Sequence, residues 1–93
     1  MKVRFEVGAV ADLHEIFEYI ATDNPLAAKK LVDRIEHVAS LIGEQPGIGH
    51  KTGNPLLRTF PVRKYLIVFE VAPDEVVIHY VRHAARKRTW RAS

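Results

Sequence analysis

The residues best suited to chemistry cluster late in the chain. His79, Tyr80 and His83 fall within a short stretch, and Arg58, Arg63, Arg82 and Arg86 flank them. Cleaving RNA through its 2′-OH needs a group that takes the proton, a cation beside the crowded phosphorane and an acid for the leaving oxygen, and this set holds a candidate for each. Each residue also has a structural reading. His83 either acts as an acid–base group or hydrogen-bonds near a strand end and positions the tail. Tyr80 reads better as a core or partner-facing aromatic with its hydroxyl at the rim, and His79 as a satisfied histidine beside a sheet. In a regular strand His79, Val81 and His83 share one face and Ile78, Tyr80 and Arg82 the other, so Tyr80 and His83 point apart. His14, His37 and His50 lack metal-ligand spacing, so no metal site is expected; no cofactor is expected either.

These residues belong to two apolar runs, Tyr65–Val71 and Val76–Arg82, joined by Ala72-Pro73-Asp74-Glu75. Runs rich in Val, Ile, Tyr and Phe around so short a turn predict a hairpin at the middle of an antiparallel sheet. Leu57–Phe60 reads as a third strand, and Pro61 argues against a regular central strand there. Lys2–Val7 alternates apolar and charged residues, the period of a half-buried strand, and Gly8 is expected to end it.

Two helices separate that strand from the others. Val10, Leu13, Ile16, Phe17 and Ile20 make one stripe, leaving Asp12, Glu15 and Glu18 to solvent. Asp23 or Asn24 can then cap a second helix, with Pro25 in its first turn. Ala28, Leu31, Ile35, Val38 and Ile42 form its stripe, widened by Leu41, and it stops near Gly43–Pro46. The segment Gln45–Pro55, with three glycines and two prolines, reads as a loop. The expected fold is α+β: an N-terminal strand, a helical hairpin, and an antiparallel sheet whose three C-terminal strands the hairpin covers.

A length of 93 residues predicts one domain, 1–93. The absence of cysteine excludes a disulfide scaffold and a thiol nucleophile and suits a reducing compartment. With no signal-like amino terminus and no long apolar window, a soluble cytoplasmic protein without membrane contact is expected. Charge is uneven. Residues 1–49 carry 5 Lys/Arg and 8 Asp/Glu, or −3, and residues 50–93 carry 9 and 3, or +6. A basic second half favours encounter with an acidic partner or a polyanion. Its tail holds the single tryptophan, Trp90, beside Lys87, Arg88 and Arg91. Trp90 is either an interface anchor or a clip back onto the domain.

Ala11–Ala21, the turn Asp23-Asn24-Pro25 with Ala27-Ala28, the pair Leu57-Arg58, the runs at Tyr65 and Val76, and the ending His83-Ala84-Ala85-Arg86 together resemble the ParE branch of the ParE/RelE toxin superfamily. The resemblance covers nearly the whole chain. It implies a toxin of a bacterial two-component module, neutralised by a small cognate antitoxin. ParE-like members are associated with inhibition of DNA gyrase, and RelE-like members with ribosome-dependent mRNA cleavage. A RelE-type site here would use His83, Arg58, Arg63, Arg86 and Tyr80. Tyr65–Val71 carries no Lys or Arg, unlike the nucleases, and the His-small-small-Arg ending resembles ParE. The implied reading is a protein inhibitor whose partner-binding residues are His83, Arg86, Lys87, Arg88 and Trp90; direct nucleic-acid binding through the basic half is the weaker alternative.

Overall fold

The computed structural model describes residues 1–85. Strand β1 (Lys2–Phe5) leads into helices α1 (Val7–Ala21) and α2 (Pro25–Glu44). A 3₁₀ turn (Pro46–Ile48), β2 (His50–Lys51), β3 (Arg58–Val62), β4 (Tyr65–Val71) and β5 (Glu75–His83) follow. The expected α+β order holds, with one addition: the Gly/Pro-rich segment read as a loop contains the 3₁₀ turn and the two-residue β2. Gly8 does not end β1; it lies in the first turn of α1. The Glu6 N–H donates to the Ile78 carbonyl at 2.9 Å while its own carbonyl accepts from Val10 at 3.0 Å, so one residue carries the chain from sheet to helix.

The α2 stripe is buried as its spacing predicts: Ala28, Leu31, Ile35, Val38 and Ile42 all face the core. Leu41 does not widen it, being exposed, and Ala39 takes the inward place. Asn24 is the cap, its side-chain oxygen accepting the Ala27 N–H at 3.0 Å, with Pro25 at the first helical position. Asn24→Ala is expected to cost about 1 kcal/mol, seen as a melting midpoint lower by roughly 4–8 °C. The α1 stripe differs from expectation. Val10 and Phe17 are exposed, and Ala9, Asp12 and Ile16 are buried, with Leu13 and Ile20 packed beside them. The buried face of the helix is shifted from its apolar stripe to one that includes Asp12, whose carboxylate has partners inside.

The sheet order is β1-β5-β4-β3-β2. Strands β2 to β5 pair antiparallel, and β1 joins β5 in parallel, Val3 opposite Val76 and Phe5 opposite Ile78. β5 is therefore flanked by strands on both edges over Glu75–Ile78. Pro61 sits in β3 where β2, which pairs only Arg58 and Thr59, no longer runs alongside. No ladder bond is lost on that side, so the strand tolerates it.

The core lies between the hairpin and one sheet face, with Ile35, Ile42, Ile67, Phe69 and Ile78 fully buried. Gly49 permits the approach of the loop before β2, since a Cβ there would strike the Phe69 ring. Among the described residues no helix is long and apolar enough to cross a membrane.

Candidate functional site

The site begins at a defect in β5. Tyr80 pairs with Val68 and Ile78 with Phe69, so His79 is an extra residue on β5. A bulge of this kind re-aims the residues beyond it. Val76, Ile78 and Val81 all enter the core although Ile78 and Val81 are three positions apart. The regular-strand reading that put Ile78 with Tyr80 is therefore corrected. Tyr80 and His83 still lie apart: Arg82 stacks 4.7 Å over the Tyr80 ring, while His83 meets Tyr65, which packs on the core, edge-on at 5.3 Å. His79 bonds Glu70 through Nε2 at 3.0 Å.

Beyond Phe5 no strand covers the β1-side edge of β5, and Asp12 of α1 takes that place. Its carboxylate accepts the Val81 N–H at 2.9 Å and an Arg82 guanidinium N–H at 3.1 Å. A buried carboxylate thus closes a sheet edge that would otherwise leave a buried N–H unpaired. The expectation that Asp12 faces solvent is overturned.

Past this point the hairpin and sheet diverge into an open groove of about 1270 Å³. Ile16, Ile20, Leu31 and Val81 give it an apolar lining, and Arg63, Lys64, Tyr65, Arg82, His83 and Ala85 line it from the sheet. The Ala84 N–H donates to the Lys64 carbonyl at 2.8 Å, tying the end of β5 to the β3–β4 turn. His83 Nδ1 accepts the Ala85 N–H at 3.2 Å. That bond engages the Nδ1 lone pair of the ring.

Of the nuclease candidates, the groove gathers Arg63 and His83, with Arg82 between hairpin and sheet. It does not gather the others. Arg58 sits in β3 by the 52–57 loop, donating to the Gly49 carbonyl at 3.3 Å, and Tyr80 is not a lining residue, its ring lying under the Arg82 guanidinium and near Gly8 of α1. Arg86, Lys87, Arg88 and Trp90 are outside the described residues. Among the described residues no group of three or more His, Asp or Glu is placed to hold a metal ion. Asp12 is the site residue that sequence reasoning missed; a lone carboxylate between the positions of an apolar stripe was its only signal.

A second charged cluster lies at the opposite end of β5. Arg4 grips both Glu75 oxygens at 3.2 Å and reaches Glu6 at 2.7 Å. Hydrogen bonding from Arg4 holds the Glu75 carboxyl below its ordinary value of 4.5. A depressed carboxylate stabilises the fold above its unfolded value and loses that contribution as pH falls through the folded one. Glu75→Gln should therefore lower the melting midpoint slightly at neutral pH, and the difference should vanish in acid below the carboxylate range; a difference unchanged by pH would refute the assignment.

A helical hairpin on one face of a mixed sheet, with an apolar groove left open at the sheet's end, defines a small α+β domain suited to being covered by another chain. The family model described as the ParE toxin of the type II toxin–antitoxin system, parDE, matches residues 3–88, and the chain belongs to that family. Toxin RelE2 of Caulobacter vibrioides is 37% identical over 78 residues, covering 84% of this chain and 89% of that protein. A solved structure, the chromosomal ParDE TA system from P. aeruginosa, superposes with a TM-score of 0.78 at 25% identity, covering 89% of this chain and 95% of that one. The protein is thus a type II toxin of the ParE/RelE superfamily, and membership implies a cognate antitoxin.

Proposed function

We propose that this toxin is a non-catalytic, cytoplasmic inhibitor of DNA gyrase, formed by a single domain over residues 1–93. Its antitoxin occupies the groove, and His83, Arg86, Lys87, Arg88 and Trp90 make target or antitoxin contacts. The observation that carries this reading is the incomplete gathering of the nuclease candidates: neither Arg58 nor Tyr80 lines the groove, and His83 uses Nδ1 on the Ala85 N–H. A base, a cation and an acid must converge within hydrogen-bond reach of one phosphate to cleave RNA. The ParE family match supports the same reading.

A second reading, ribosome-dependent mRNA cleavage, is favoured by one observation: Arg63, Arg82 and His83 share the groove. The name Toxin RelE2 of the Caulobacter relative points the same way. Two assays on the purified toxin separate the readings. Blocked supercoiling by gyrase with intact mRNA on translating ribosomes is expected; cleaved mRNA with normal supercoiling would reverse the conclusion.

A further inference from the structure

Away from the groove, the β2–β3 edge of the sheet is basic and comes from a stretch without acid. Residues 45–69 carry Lys51, Arg58, Arg63 and Lys64 and no Asp or Glu. Lys51 of β2 lies directly opposite Arg58 of β3, and like charges placed so repel each other unless an anion joins them. No carboxylate does. Neither residue forms an ion pair among the described residues, and Glu70, next to the Phe69 partner of Arg58, is bound to His79 at 3.0 Å. Both cations line a cleft of about 320 Å³ closed by the 52–57 loop. That loop is held from within. The Thr52 hydroxyl accepts the Asn54 N–H at 3.0 Å and bonds the Leu57 carbonyl at 3.0 Å, while the Asn54 side-chain oxygen accepts the Leu56 N–H at 2.9 Å. The Lys51 ammonium and the Asn54 side-chain NH2 are left without a partner among the described residues. They stand beside a guanidinium that gives one N–H to the Gly49 carbonyl at 3.3 Å and has others to spare. A second pair of cations follows at the far end of β3, where Arg63 and Lys64 are exposed and form no ion pair among the described residues. The five residues of β3 put the two pairs about 16 Å apart.

We infer that the cleft between β2, β3 and the 52–57 loop is a phosphate site, and that its ligand is the phosphodiester backbone of a nucleic acid. Two cations, a carboxamide and no aromatic wall suit a compact anion with several acceptor oxygens. Two cation pairs in succession suit a repeating polyanion better than a single ion, and contacts of this kind carry no base information. The inference stands apart from gyrase inhibition and from the antitoxin: it needs neither to hold.

The test titrates the full-length toxin with a 12-nucleotide single-stranded DNA of mixed sequence and, separately, with inorganic phosphate, following backbone amides by NMR. The amides of residues 50–58 should shift with the oligonucleotide. Lys51→Glu should weaken its binding at least about fivefold and lower the slope of log affinity against log salt by about one phosphate contact. Lys51→Gln, the milder change, should weaken it less and serves where the glutamate variant does not fold, which thermal melting reports. Lys2→Glu makes the same charge change on β1, at the opposite edge of the sheet, and should leave affinity within about twofold. Unchanged affinity in a folded Lys51 variant, or amide shifts that leave residues 50–58 untouched, overturns the site. Inorganic phosphate that shifts the same amides and binds as tightly as the oligonucleotide overturns the backbone assignment and makes the ligand a free anion. Neither result bears on supercoiling or antitoxin binding, so failure here and failure of the gyrase reading are told apart.

Discussion

Asp12→Ala is expected to destabilise the fold by about 2–3 kcal/mol, a fall in melting midpoint on the order of 10–20 °C for a domain of this length. The cause is local and specific. Asp12 is 8% exposed and its carboxylate is the partner of the Val81 N–H, 69 residues away in sequence, where β1 has already ended. Alanine leaves that N–H buried without an acceptor and frees the Arg82 guanidinium. Asp12→Asn keeps an acceptor for Val81 but turns an amide toward Arg82, and should cost roughly half as much. Chemical denaturation of the three proteins decides the matter: an alanine variant within about 0.5 kcal/mol of the parent would mean that Asp12 is only a surface carboxylate in a favourable contact.

The second large effect is functional. A chain ending at Ala85 should keep its fold and lose toxicity, counted as colonies surviving induced expression. Ending it earlier, after Val81, would also remove Arg82, which pairs with Asp12, and His83, which packs on Tyr65. Loss of activity in that shorter chain would therefore not separate folding from contact. The Ala85 truncation leaves the described structure whole while deleting the tail with Trp90 and four basic residues. If Trp90 anchors the target interface, its loss alone costs about 2 kcal/mol or more of binding, roughly 30-fold, and removal of the basic residues adds to this. A truncated chain that melts like the parent and remains as toxic would move the contact surface off the tail.

Much of the fold was legible in the order of residues. The α2 stripe, the Asn24-Pro25 start and the β4–β5 hairpin follow from local chemistry: helical periodicity, a capping side chain and a short turn between apolar runs. These signals act over a few residues, so a linear reading finds them. What it missed depends on distant partners. β1 announces one buried face but not that it will lie parallel to β5, because Val3 and Val76 meet only when the hairpin of helices has been crossed. The α1 stripe was misread at Val10, Phe17 and Asp12 for the same reason, since the face a helix buries depends on what it is packed against.

The late cluster of His79, Tyr80 and His83 shows the division most clearly. Residue types and spacing by themselves determined that a basic, aromatic-bearing strand end exists; the toxin reading came from the resemblance of the ordered motifs to the ParE branch. Only tertiary structure decided what the cluster is. The bulge at His79 resets which side chains face the core, Asp12 arrives from α1 to close the edge at Val81, and His83 turns to Tyr65 and Ala85. Each of those steps is a contact between elements far apart in the chain, and hydrogen-bond satisfaction and close packing at such contacts are properties of the assembled fold that no local pattern encodes.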